Sequence, residues 1–254
     1  YNEKALTKHF KRNQIIAKVE PGLRPKTVKV IYETTENPLV SIIIPFKDQL
    51  ELLIPCVQSI LEKTEYTNYE VLLISNNSKE KETFEYLNKV CKKNENVRFY
   101  EHNVPFNFSA INNWAVTQSE GEFVLFLNND VEVIADDWLS LMVGHLLQSN
   151  VGAVGGKLLY DNDTLQHAGT VYGICGFAEH AFRGFDANWY GRHRDMGCTR
   201  NVSICTAACL MVKRNIFNEI GGFDAENLSV AYNDVDLCLE IRKRNYLVAY
   251  SPHV

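Results

Sequence analysis

The chain has 254 residues, 46% of them hydrophobic and 22% charged, enough apolar material for one large or two small globular domains. A net charge of −5 without a long Lys/Arg block gives no footprint for nucleic acid, and no apolar run approaches the roughly 20 residues that span a bilayer. Seven scattered cysteines without a Cys-x-x-Cys pair read as buried, reduced thiols of a cytosolic protein, not as a disulfide framework.

Residues 1–37 form an N-terminal extension or linker. A basic helix bearing Lys4, Lys8, Lys11 and Arg12 is followed by a turn at Pro21-Gly22 and an edge strand, Val28-Lys29-Val30-Ile31-Tyr32. From residue 38 to 254 strands and helices alternate. Val40–Pro45 is a buried strand, and Leu50, Leu53, Ile54, Val57, Ile60 and Leu61 repeat at helical spacing, with regular helix expected from about Pro55. Glu70–Ile74 is a second strand ending in Ser75-Asn76-Asn77-Ser78, followed by a helix through Phe84, Leu87 and Val90 and a strand at Val97–Tyr100. A helix over Phe108–Thr117 leads to the strand Phe123–Leu127, and Asp136-Asp137 is placed to cap a helix through Trp138, Leu141, Met142 and Leu146. Beyond about Gly155 come short strands and glycine-rich loops, and one helix returns over Asp234–Arg244. The alternation predicts an α/β fold with a doubly wound, mostly parallel central sheet flanked by helices.

The run Phe123-Val124-Leu125-Phe126-Leu127 lacks polar alternation, as suits a strand buried on both faces, and it stops at Asn128-Asn129-Asp130. Ligands of such sheets gather at the carboxyl ends of strands, and Mg²⁺ or Mn²⁺ takes oxygen donors of this kind. The same residues would also serve as a plain polar turn. Asp161-Asn162-Asp163 reads as a hairpin turn, while Asp234 and Asp236 open a helix where the dipole favours carboxylates, so capping competes with chemistry there. No Gly-x-Ser-x-Gly elbow, Gly-x-Gly-x-x-Gly fingerprint or phosphate-gripping glycine loop occurs, which leaves a cation to neutralise any phosphate. His167 beside small residues reads as a satisfied structural group, and Trp189, Tyr190 and Arg192 as a surface loop or a sugar-stacking segment.

Val40–Pro45, Ile74–Ser78, Leu127–Asp130, Gly221-Gly222-Phe223-Asp224 and Asn233-Asp234-Val235-Asp236-Leu237 occur in an order that resembles the family 2 glycosyltransferases. Pro105-Phe106-Asn107-Phe108-Ser109, Leu165-Gln166-His167-Ala168-Gly169 and Arg200-Asn201-Val202 are similar to rhamnosyltransferase-like members of bacterial surface polysaccharide synthesis. The resemblance covers about residues 38–254 and implies a GT-A fold, with a smaller mixed sheet toward the acceptor side.

It implies that Asp130 holds Mn²⁺ or Mg²⁺ on the diphosphate of a UDP- or dTDP-linked sugar. Asn128 stands where many members carry a first aspartate, keeping an oxygen donor but losing a charge. Donor contacts are expected from Pro45, Phe46, Lys47, Asp48, Ser75, Asn76, Asn107, Asn112, Asn128 and Asn129. Ser75 occupies the place of an aspartate that accepts the base's imide proton. Asp234 is implied to be the catalytic base of an inverting transfer, with His167, Gly222, Phe223, Asp224, Asn233 and Asp236 on the acceptor side. The family's late metal-binding histidine is expected a few residues beyond Ser251-Pro252, so the chain reads as cut just short of it. The acceptor is expected to be a glycan or lipid-linked sugar, met in the cytoplasm or at the inner membrane face, with the chain part of a larger multidomain enzyme. Two alternatives stand beside this reading: a catalytically silent glycan- or nucleotide-sugar-binding module of a larger synthase, and a sugar-phosphate nucleotidylyltransferase. The latter needs a glycine-rich basic loop where Pro45–Asp48 lies.

Overall fold

The structure, a computed structural model, describes residues 2–173, 176–189, 191 and 195–254. In chain order it opens with α1 (Asn2–Arg12), β1 (Ala17–Pro21) and β2 (Val28–Tyr32). The repeating units β3 (Val40–Phe46), α2 (Leu50–Lys63), β4 (Tyr69–Ser75), α3 (Lys81–Lys93), β5 (Val97–Glu101), α4 (Phe108–Thr117), β6 (Phe123–Leu127), α5 (Trp138–Leu146) and β7 (Val151–Gly156) follow. Short strands β8 (Leu158–Leu159), β9 (Leu165–His167), β10 (Thr170–Tyr172), β11 (Ala178–His180) and β12 (Arg200–Val202) precede β13 (Cys209–Lys213), α6 (Arg214–Ile220), α7 (Asn233–Lys243) and β14 (Leu247–Ser251).

Eight strands form the central sheet in the order β12-β14-β7-β13-β6-β3-β4-β5. β6, β3, β4 and β5 are parallel, and β7 pairs in parallel with β14. β13 runs antiparallel between β6 and β7, and β12 closes one edge antiparallel to β14. The two-residue period of a strand explains why the apolar runs are unbroken. Ile42 and Ile44 of β3 and Val71 and Leu73 of β4 face α2, α3 and α5, while Ile43, Leu72 and Ile74 face α4, α6 and α7. Both faces are covered, so the central positions of these strands are apolar, and the polar Ser41 and Glu70 near their starts are buried with their oxygens hydrogen-bonded.

Several local expectations are corrected. α2 starts at Leu50 and carries Pro55 in its second turn instead of beginning there. Asp137 sits at the N-cap of α5, yet its side chain makes no capping bond and pairs with Lys29. The extension has two strands, not one: Ala17–Pro21 pairs antiparallel with Val28–Tyr32. It is laid on α5, with the Tyr32 ring edge-on to His145 at 5.2 Å between centroids. Toward the acceptor side, β8–β9 and β10–β11 pair two by two, each antiparallel. Cys56, Cys205, Cys209 and Cys238 are buried thiols, as expected, and burial raises each of them, Cys56 to about 12.

Candidate active site

The carboxyl ends of β3, β4 and β6 point to one end of the sheet. β13 runs the other way, so its leading residues, Thr206 to Ala208, arrive at the same end. The Asn128 amide donates to the Ala208 carbonyl at 3.1 Å, tying β6's polar tip to this segment. A cleft of about 410 Å³ opens beside it, lined by Asn128, Thr206–Ala208, His180 and Tyr232–Asp234 among others. Asn128 and Asn129 are half-buried and Asp130 is exposed. No hydrogen bond or ion pair among the described residues engages the Asp130 carboxylate, and no group of three His, Cys, Asp or Glu there could hold a metal unaided.

Asp234 lies in the first turn of α7, half-buried. Its carboxylate accepts from the Ala207 amide at 3.1 Å and from the Val235 amide at 2.8 Å. Asn233, buried behind it, holds the turn: its amide donates to the Val230 carbonyl and its oxygen accepts from the Asp234 amide at 2.8 Å. Tyr232, at φ 62°, bends the chain into the helix in the left-handed region. Asp236 lies off the cleft, and burial followed by Glu240 and Asp224 raises its carboxyl.

Many of the other expected donor contacts turn out to be engaged in building the rim. The Asp48 carboxylate accepts from the Lys79 and Glu80 amides and the Thr83 hydroxyl at 3.0–3.1 Å, which ties the loop after β3 to the start of α3. Its carboxyl is held low by those bonds against the opposing pull of burial. Phe46 is buried beneath it, Pro45 half-buried and Lys47 exposed. The Asn76 side chain donates to the carbonyls of His102 and Val104 at 2.7 and 3.0 Å. Ser75 is buried and its hydroxyl has no hydrogen-bond partner among the described residues, as is the case for the Asn112 side-chain oxygen. Asn107 caps α4, accepting from the Ala110 amide at 2.8 Å and donating to the Ala225 carbonyl at 2.9 Å.

On the acceptor side, Asn113 clasps the peptide at Phe223, donating to its carbonyl at 2.8 Å and accepting from its amide at 2.9 Å. Gly222 sits at φ 83°, where an added Cβ would lie 2.5 Å from the Asn113 oxygen. Phe223 is buried against Phe126 and Phe217. Asp224 organises its own loop through the Glu226 and Asn227 amides. Trp189 joins an aromatic cluster with Phe182 and Phe185 and does not line the cleft. Tyr190 and Arg192 lie outside the described residues.

His167 is buried, as expected of a structural group, and burial followed by its neighbours His180 and Arg200 lowers it to about 3. Its partner His180 lines the cleft and was missed from sequence, as was Asn113. Their signal is non-local: each matters through a residue that only the tertiary fold brings near.

The glycosyl transferase family 2 model matches residues 41–221. The chain is 42% identical over 231 residues to the uncharacterized protein y4gI of Sinorhizobium fredii, covering 91% of this chain and 25% of that protein. It is 41% identical over 249 residues to the O-antigen biosynthesis protein RfbC of Myxococcus xanthus, covering 96% of this chain and 19% of that protein. The chain therefore spans a quarter or less of these two relatives. Among solved structures it is similar to the mannosyltransferase PcManGT from Pyrobaculum calidifontis in complex with GDP-Man and Mn²⁺. That match has a TM-score of 0.64 at 17% identity and covers 92% of this chain and 58% of that one. It is also similar to GalNAc-T7 with UDP, GalNAc and Mn²⁺, with a TM-score of 0.73 at 15% identity, covering 92% and 46%. At such identities the likeness shows the fold, which is GT-A. With a family match over most of its length and this fold beneath it, the chain belongs to the family 2 glycosyltransferases.

Proposed function

We propose that residues 38–254 form the catalytic domain of a metal-dependent, inverting glycosyltransferase, with residues 1–37 leading into it from a larger protein. It transfers a sugar from a UDP- or dTDP-linked donor to a glycan or lipid-linked acceptor during surface polysaccharide synthesis. The observation that carries this reading is the shared cleft: Asn128 at the tip of β6 and Asp234 at the start of α7 both line it. The O-antigen biosynthesis relative from Myxococcus supports the pathway, and the nucleotides and Mn²⁺ bound in the two structural neighbours support the donor and the ion.

The donor set fits a hard cation. Asp130 offers an unengaged carboxylate and Asn128 an amide oxygen, and Mg²⁺ or Mn²⁺ is commonly held by one or two protein oxygens with phosphate and water completing the shell. Such an ion, when bound, offsets the charge of the departing diphosphate. The remaining chemistry belongs to Asp234. As an acceptor hydroxyl oxygen bonds to the anomeric carbon and the bond from that carbon to the phosphate oxygen breaks, the hydroxyl proton passes to this carboxylate. Two backbone amides fix the carboxylate's orientation before substrate arrives. Ser75 and Asn112, with unpartnered polar atoms at the donor end, meet the nucleotide after a small rearrangement. Among the described residues no helix is long and apolar enough to cross a membrane.

Calorimetric titration with UDP- and dTDP-sugars, with and without Mn²⁺, tests the donor half. Binding that requires the ion and is lost in Asp130→Ala is the expected result. Binding indifferent to both overturns it, and ion-dependent binding without any turnover favours the silent-module alternative.

A further inference from the structure

Asp234 shares the cleft with a group of opposite hydrogen-bonding character. His180, on β11, has its Nδ1 2.8 Å from Nδ1 of the buried His167, the two rings standing 88° to one another. Which ring carries the proton between them follows from His167's other nitrogen. The backbone amides of Gly169 and Thr206 both donate to His167 Nε2, at 3.2 and 3.4 Å. An Nε2 that accepts twice bears no hydrogen, so a neutral His167 is protonated on Nδ1. That hydrogen points at His180 Nδ1, which must accept it, and the Thr170 hydroxyl lies 3.4 Å from the same nitrogen. A neutral His180 then carries its hydrogen on Nε2, the nitrogen that His167 does not engage, in a side chain that lines the cleft.

We propose that His180 is a sugar-contacting residue that donates its Nε2 hydrogen to a hydroxyl or ring oxygen of the acceptor sugar, and that His167 is the positioning residue that fixes this tautomer. The assignment rests on the reading of Asp234 as the acceptor-side base. The two groups divide recognition of a pyranoside: Asp234 accepts from the attacking hydroxyl, and His180 donates to a neighbouring oxygen. Burial keeps both histidines neutral, since each is lowered chiefly by desolvation. The β10–β11 hairpin serves as the mount: Thr170 pairs with His180 across it, and β9 delivers His167 from behind.

Two measurements on the 254-residue chain test this. Nitrogen-15 NMR of labelled histidines is expected to show His167 protonated only on Nδ1 and His180 only on Nε2 between about pH 6 and 8. A His180 protonated on Nδ1, or on both nitrogens, overturns the assignment. With UDP and Mn²⁺ present, a panel of methyl pyranosides is then titrated. At least one is expected to shift the His180 Nε2 hydrogen resonance, and none doing so overturns the sugar contact. For that glycoside, affinity falls about tenfold in His180→Leu and in His167→Leu, while His180→Gln, whose amide can donate from a nearby position, retains part of it. UDP affinity stays at the parent value in all three variants, which a merely structural role would not predict. Unchanged glycoside affinity in His180→Leu contradicts the proposal. Should Asp234→Asn retain turnover, the base reading fails while the tautomer and glycoside measurements still report on the histidines.

Discussion

Asp234 is held by amides from two elements, Ala207 ahead of β13 and Val235 in α7, and both bonds need only a carbonyl-type oxygen. An amide side chain can accept only one of them and turns its NH2 group toward the other N–H, so Asp234→Asn is expected to cost about 1–2 kcal/mol of stability while removing the base. Ser75 presents the opposite case, a buried hydroxyl with no partner among the described residues. An unsatisfied buried polar atom is costly, so Ser75→Ala is expected to raise stability by up to about 1 kcal/mol in denaturant titrations. The same variant is expected to weaken nucleotide binding. Lower stability in Ser75→Ala would show that the hydroxyl has a structural partner. At this scale Asp130 stands out in the sequence because it follows an abrupt change from apolar to polar residues, whereas Asp234 stands out only through the family resemblance. Asp48 and Asn107, expected as donor contacts, are both bonded to the chain itself, Asn107 as the cap of α4 and Asp48 as a tie to the segment leading into α3. A short polar side chain suits a helix N-terminus and a ligand equally well, and sequence alone does not separate the two.

The Asn107-Phe108-Ser109 segment acquires a physical role at the start of α4. Asn107 caps the helix and reaches Ala225, and Ser109 bonds the Leu228 carbonyl through its hydroxyl at 2.5 Å and the Ser229 carbonyl through its amide. These bonds hold residues 224–230, which lead directly into the turn that presents Asp234. Asn107→Ala is expected to cost about 1–2 kcal/mol from the lost cap. Because the loop is released as well, it is expected to lower kcat more than donor affinity; equal loss of both would place Asn107 in donor binding instead. Gly222→Ala should be worse than a typical loop substitution, by more than about 1 kcal/mol, since it combines a positive φ with a collision at Asn113. Thermal unfolding of the two variants measures both effects. The parallel strands β3, β4 and β6 and helices α3 to α5 were legible because apolar runs and three-and-four spacing are local. The antiparallel insertion of β13 and the pairing of Ala17–Pro21 were not, because strand direction and partner are decided by distant chain segments.

Across the whole molecule, two buried histidines couple stability to pH. Burial lowers His145 to about 4 and His167 to about 3, against about 6.5 in the unfolded chain. Below pH 6.5 the unfolded state takes up protons that the folded state refuses, so stability is complete above that value and falls as the pH drops toward 4 and then 3. Each histidine contributes about 1.4 kcal/mol per pH unit inside its window. Urea midpoints are expected to be flat between about pH 7 and 8 and to decline steadily from about pH 6 to 5. A flat profile down to pH 5 would mean that both side chains reach solvent. His145 also underlies the docked extension through Tyr32, so the decline should be accompanied by loosening of the β1–β2 hairpin. Sheet, rim loops and hairpin mount together converge on a single carboxylate. The most direct test of the account is therefore sugar transfer by Asp234→Asn, measured beside donor binding by the same protein. Turnover lowered about 10²–10⁴-fold with donor affinity unchanged is the predicted result, and turnover within tenfold of the parent would contradict it.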